Sequence, residues 1–129
     1  MKIENKFPTK DISDEDIKTK FPLVAKKNDS HKSSFKVAGV EFGGDLIPVF
    51  AGPNMVETKE LIEDVAINVK KSGAHFLRGG AFKPRSSPYS FQGHGEEGLK
   101  MLRNAANKYE LKLISEVMDS RQIELIGKY

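Results

Sequence analysis

A chain of 129 residues has room for one domain of ordinary size with a real hydrophobic core. Apolar residues make up 38% and charged residues 30%, a balance that speaks against a disordered chain, and no run approaches the ~20 apolar residues of a membrane span. The net charge of +3 comes from 21 Lys and Arg interleaved with 18 acids, so no basic stripe for nucleic acid is expected.

Residues 1–33 read as a polar N-terminal arm, in which Met1–Lys10 has no apolar core of a secretory leader and Asp14-Glu15-Asp16 suits the start of a short helix. Cysteine is absent, which rules out disulfides and thiolate metal sites and fits a cytoplasmic location. Residues 34–45 predict a β-hairpin, because Ser34–Ala38 and Val40–Phe42 alternate around Gly39.

From residue 46 the pattern changes. Leu46–Ala51 is an apolar run stopped by Gly52-Pro53 and predicts a buried strand. A helix follows over Thr58–Ser72, with Leu61, Ile62, Val65, Ala66 and Val69 at helical spacing and Gly73 as its cap. Ala74–Arg78 predicts a second strand, and Gly79–Gly95 a long loop rich in Gly, Pro and Ser. Glu96–Tyr109 predicts a second amphipathic helix and Leu111–Val117 a third strand. Asp119 or Ser120 can cap a third helix bearing Ile123, Leu125 and Ile126.

This alternation is the pattern of parallel α/β architecture. No G-x-G-x-x-G follows any strand, which disfavours a doubly wound nucleotide fold. The fold class expected is α/β, with residues 46–129 forming three βα units of a (β/α)8 barrel; a whole barrel needs about 250 residues. In such folds ligands lie at the carboxyl ends of the strands. Gly52-Pro53-Asn54, Arg78-Gly79-Gly80 and Ser115-Glu116 fall there. The loop after Arg78 adds Lys83 and Arg85, with Ser86 and Ser87. Arg forks grip phosphate or carboxylate in pairs and Lys supplies a point charge, so a site for polyanionic small molecules is expected. A solvated basic loop is the competing reading.

The run Leu77-Arg78-Gly79-Gly80-Ala81-Phe82-Lys83-Pro84-Arg85-Ser86-Ser87-Pro88-Tyr89-Ser90-Phe91-Gln92-Gly93 is very similar to the signature of type I deoxy-arabino-heptulosonate-phosphate (DAHP) synthases of the bacterial β subfamily. Its Lys83-Pro84-Arg85-Ser86-Ser87 core distinguishes them from octulosonate-phosphate synthases, which share the barrel. Val37–Asp45, Ala51–Asn54 and Ser115–Val117 agree, and the resemblance covers about residues 20 to 129. It implies condensation of phosphoenolpyruvate with erythrose 4-phosphate, the first step of the shikimate pathway. It further implies that Arg78 and Lys83 bind phosphoenolpyruvate, and that Lys83, Pro84, Arg85 and Ser86 bind erythrose 4-phosphate. Lys83 then moves protons near the aldehyde, and Glu116 orients or deprotonates the attacking water. A plain salt-bridge role is the alternative for Glu116.

Two departures qualify the resemblance. Asn54 stands where the family has a cysteine that binds a divalent metal such as manganese, iron or zinc; metal-independent octulosonate-phosphate synthases carry asparagine there. A neutral amide is a poor ligand for such ions, so no cofactor and a metal-free activity are expected. His31, His75 and His94 match no ligand spacing. The second departure is length: the resemblance reaches only about the first half of the barrel. That predicts a fragment, a homo-oligomer, or a piece that needs the rest of the barrel from a second chain. An octulosonate-type enzyme and a non-catalytic phosphate-binding remnant are the alternatives.

Overall fold

The computed structural model describes residues 13–129, so the arm expected over residues 1–33 is seen only in its second part. Helix α1 (Asp14–Lys20) begins where the Ser13 hydroxyl accepts from the Asp16 N–H at 3.1 Å. Acids occupy its first turn and Lys18 and Lys20 its last, the order the helix dipole favours.

Strands β1 (Phe35–Val37) and β2 (Val40–Phe42) form the expected hairpin, antiparallel and joined by Ala38 and Gly39. Both turn residues have positive φ, 49° and 82°, as a two-residue turn matched to strand twist requires. Ala38 is strained there, because a Cβ crowds the following carbonyl in that region.

The remaining elements are β3 (Phe50–Ala51), α2 (Lys59–Lys71), β4 (Phe76–Arg78), α3 (Glu96–Lys108), β5 (Lys112–Ile114) and, after a 3-10 turn at Ser120–Gln122, α4 (Ile123–Gly127). Thr58 caps α2 by accepting from the Leu61 N–H at 3.1 Å, and Asp119 caps the final turn by accepting from the Arg121 N–H at 2.9 Å. The three strands are parallel in the order β3-β4-β5, with Phe50 opposite Phe76, and with Leu77 opposite both Ala51 and Leu113. The two crossover helices pack against each other, so both cover the same face of the sheet. Strands laid down in chain order under a single helix layer are the arrangement of a barrel wall. A doubly wound sheet would reverse its strand order and use both faces.

Period-two alternation decides what each strand buries. Leu77 points at the helices and is fully buried with Ile62, Ala66, Leu102, Ala105 and Ala106; Ala51 and Leu113 are packed against that cluster. The alanines let helix and sheet approach closely. Phe76 and Arg78 point the other way. Across the amino ends of the strands lies the hairpin, with Phe42 packed on Phe50 and Phe76 at ring-centroid distances of 5.8 and 5.9 Å.

Two expectations need correction. Leu46–Ala51 is not a buried strand: only Phe50 and Ala51 pair with β4, and Ile47 is 81% exposed. β3 is an edge with one neighbour, and Pro48 has no N–H to extend the ladder. Immediately before the strand, His75 intervenes: the Val49 N–H donates to His75 Nδ1 at 3.2 Å, and the Val49 carbonyl accepts from the His75 and Phe76 N–H groups. Leu61, placed on the buried stripe by its spacing, is 43% exposed.

Leu102→Ala is expected to cost about 2–5 kcal/mol, the range for emptying a buried leucine site, whereas Leu61→Ala should stay within about 0.5 kcal/mol. Ala38→Gly should stabilise the chain by up to about 1 kcal/mol by releasing the turn strain. Urea unfolding of the three variants beside wild type measures all of these.

Candidate active site

Arg78 ends β4 on the face opposite Leu77, with its guanidinium 3.4 Å from the Pro53 carbonyl and 3.5 Å from Asn54 Oδ1. Contacts this long are weak, so the fork keeps donors for an incoming anion. The β3 and β4 loops approach closely because glycines stand where they touch. A Cβ on Gly52 would lie 1.9 Å from the Arg78 carbonyl oxygen, and one on Gly80 would lie 2.6 Å from Lys83 Cε and 2.8 Å from the Asn54 carbonyl oxygen. Lys83 therefore folds its side chain over a residue that has none.

The Lys83 ammonium reaches Glu116, past the end of β5, with Nζ 2.8 Å from Oε2. The Lys83 side chain is 12% exposed and that of Glu116 49%. Ser115 fastens the same two loops, its hydroxyl donating to the Gly79 carbonyl at 2.8 Å. The hydrogen bond from Lys83, and after it the Lys83 charge, hold the Glu116 carboxyl below its ordinary value of 4.5; Arg78 adds a smaller pull, and desolvation opposes them. The cluster thus pairs a cation with a carboxylate kept ionised, beside a second cation.

Pro84, Arg85 and Ser86 are exposed and lie farther along the loop. The Arg85 guanidinium is 3.9 Å from Met55 Sδ, and the Arg85 N–H donates to Gln92 Oε1 at 3.1 Å. Lys83, Pro84, Gln92 and Met118 line a cavity of about 270 Å³. Roomier cavities of about 470 and 480 Å³ lie beside the hairpin and the 26–33 segment, away from the clustered charges. The convergence of charge, rather than volume, selects the site.

Of the residues singled out in the sequence, Asn54, Arg78, Lys83 and Glu116 come together at the strand ends, while Pro84, Arg85 and Ser86 form the outer part of the loop. Met55, Gly80, Gln92 and Ser115 were not assigned roles from sequence. Gly80 and Gln92 sit inside the loop motif itself and Ser115 beside Glu116 at a strand end, whereas nothing local marks Met55, whose contact with Arg85 comes from distant chain.

Among the described residues no group of three or more His, Asp or Glu stands ready to hold a metal. Each histidine serves a backbone group instead: His31 Nδ1 accepts from the Lys27 N–H, His75 binds Val49 as above, and His94 Nε2 lies 2.7 Å from the Glu57 carbonyl oxygen. Asn54 offers a neutral oxygen that already faces the Arg78 cation. A neutral amide oxygen that faces a cation is a poor donor for a divalent metal.

A singly wound parallel sheet with charged loops gathered at its carboxyl edge defines a protein of the (β/α)-barrel class. The sequence profile described as the DAHP synthetase I family matches residues 20–129, and the chain belongs to that family. It is 33% identical to phospho-2-dehydro-3-deoxyheptonate aldolase of Thermotoga maritima, over 98% of this chain and 38% of that protein. It is 34% identical to 2-dehydro-3-deoxyphosphooctonate aldolase of Fusobacterium nucleatum, over 78% of this chain and 38% of that protein. The crystal structure of the Thermotoga maritima heptonate aldolase superposes with a TM-score of 0.72 at 34% identity, covering 95% of this chain and 32% of that one. The chain thus spans about a third of the length of these relatives.

Lys83→Met should raise the Glu116 pKa toward 4.5 or above, as read by carboxyl-carbon NMR titration. Because the folded value is depressed, the stability that this pair contributes is present above the unfolded value of about 4.5 and is lost as pH falls through the folded value. Acid unfolding of wild type should therefore show a loss in that window that Lys83→Met lacks.

Proposed function

We propose that this chain forms the substrate-binding end of a DAHP synthase, which condenses phosphoenolpyruvate with erythrose 4-phosphate. The observation that carries this reading is the 2.8 Å contact of Lys83 with Glu116 next to Arg78, at the ends of adjacent strands. Both substrates are polyanions, and Arg78, Lys83 and Arg85 gather cations to meet them. Arg78 and Lys83 hold phosphoenolpyruvate. Lys83, Pro84, Arg85 and Ser86 frame erythrose 4-phosphate, with its phosphate toward Arg85 and Ser86.

In the reaction, C3 of phosphoenolpyruvate attacks the aldehyde carbon, and the aldehyde oxygen takes a proton from Lys83. Water adds at C2 and yields its proton to Glu116, which the Lys83 ion pair holds as carboxylate until Lys83 gives up its proton. The C2–O bond to the phosphoryl group then breaks as the C2 hydroxyl passes its proton to the departing phosphate and becomes the ketone, and Glu116 returns a proton to Lys83. Placing these groups before reaction, rather than generating them during it, is what a fixed ion pair of this kind supplies. The same reading takes residues 1–33 as an arm, 34–45 as the hairpin and 46–129 as barrel wall. It sets the chain in the cytoplasm, self-associated or joined by a second chain that completes the barrel.

A second reading, an octulosonate-type enzyme, is favoured by Asn54 and opposed by Lys83-Pro84-Arg85-Ser86-Ser87. Product analysis with arabinose 5-phosphate in place of erythrose 4-phosphate separates the two.

The purified chain is expected to consume phosphoenolpyruvate with erythrose 4-phosphate in chelator, without added manganese. Activity restored only by manganese would overturn the metal-free reading and keep the enzyme. In a separate binding titration, Arg78→Ala should abolish phosphoenolpyruvate binding; retained binding would remove Arg78 from the site.

A further inference from the structure

The loop after β4 carries its phosphate-gripping residues on a segment with no helix or strand, and one side chain organises that segment. The Gln92 carbonyl accepts from the Lys83 N–H at 2.8 Å, and Gln92 Oε1 accepts from the Arg85 N–H at 3.1 Å. One residue thus holds the main chain under both cations of the loop. On its other side, Gln92 Nε2 donates to the Ser87 carbonyl at 3.1 Å and to the Ser90 carbonyl at 3.0 Å. The amide orientation follows from these partners: a backbone N–H faces its oxygen, and two carbonyls face its nitrogen. Side-chain amides seldom use this much of their capacity on backbone spread over six residues without shaping a loop. Ser90 also donates its N–H to the Ser87 carbonyl at 3.2 Å, closing the turn that Gln92 ties down.

We propose that Gln92 is a positioning residue for the phosphate end of the site, bracing Arg85–Ser90 so that Arg85 and Ser86 stand ready beside Lys83. This rests on the assignment of Arg85 and Ser86 to the erythrose 4-phosphate phosphate in the reading above. A loop ordered beforehand spares the ligand the entropy of ordering it, so loss of the brace weakens binding without removing any group that touches the ligand. The Lys83 end is anchored by the main-chain carbonyl of Gln92, which survives substitution. The brace therefore acts on one substrate and not on the other.

The test compares the wild-type chain with Gln92→Ala and with Gln92→Met, which keeps the length and removes the hydrogen bonds. Titrations with erythrose 4-phosphate and with phosphoenolpyruvate are read beside amide hydrogen exchange at Arg85. Both variants should bind erythrose 4-phosphate about tenfold more weakly and phosphoenolpyruvate within about twofold of wild type, with faster exchange at Arg85 and an unchanged unfolding midpoint. Wild-type affinity in Gln92→Met, or equal weakening of both ligands, would overturn the proposal. If wild type binds neither ligand, the substrate reading fails and the Arg85 amide decides alone. Protection there in wild type that is lost in Gln92→Ala upholds the brace, and fast exchange in both removes it.

Discussion

Strand β4 is bonded on both sides, and the alternation of its three side chains constrains the rest. Leu77 must face the helices, where it fills the centre of the core, and its partners Ala51 and Leu113 line up with it across the sheet. A slip of one residue in either register would turn that apolar row out of the core, so the register is set by burial. Once Leu77 is fixed inward, Arg78 has no choice but to leave from the other face. The direction in which Arg78 leaves the sheet is thus set by the hydrophobic layer behind it.

Electrostatics then work at short range. Lys83 is far less exposed than Glu116, the about half-exposed carboxylate that compensates its ammonium. A pair of this kind adds little to overall stability, because the solvated partner is screened. Its value lies in orientation: it fixes where a positive charge sits, and it keeps a carboxylate ionised next to it. Gly80 makes the arrangement sterically possible, and Ser115 ties the loop of β5 to the loop of β4 so that neither can drift from the other.

The sequence conveyed the helices with little error, since Ile62, Ala66 and Val69, and then Leu99, Leu102, Ala105 and Ala106, recur with the period of a one-sided helix. The strand end at Arg78 was equally legible, because Gly79 and Gly80 follow it, whereas the third strand, expected over Leu111–Val117 with no Gly or Pro to stop it, ends at Ile114. Leu46–Val49 misled for a physical reason: an apolar run records hydrophobicity, not the presence of a second neighbouring strand, and β3 has only one. Leu61 sits at the edge of the helical stripe, where a few degrees of rotation decide burial. Within the site, residue types announced cations and a carboxylate, but not which would meet. The Lys83 contact with Glu116 joins residues 33 apart, and the Arg78 contact with Asn54 residues 24 apart. Gln92 stayed silent because a glutamine in a loop has no periodicity to read; its role comes only from the partners that surround it.

The sheet order noted above also has a temporal meaning. Since each strand lies beside the one made just before it, a ribosome releasing this chain leaves the facing edges of β3 and β4 open only until the next strand arrives. The contacts that build the charged cluster span 24 and 33 residues, so each closes within one such unit. Local closure of this kind forms early and quickly compared with pairings between distant segments. The cluster can be wound up vectorially, as soon as Glu116 has left the ribosome's exit tunnel.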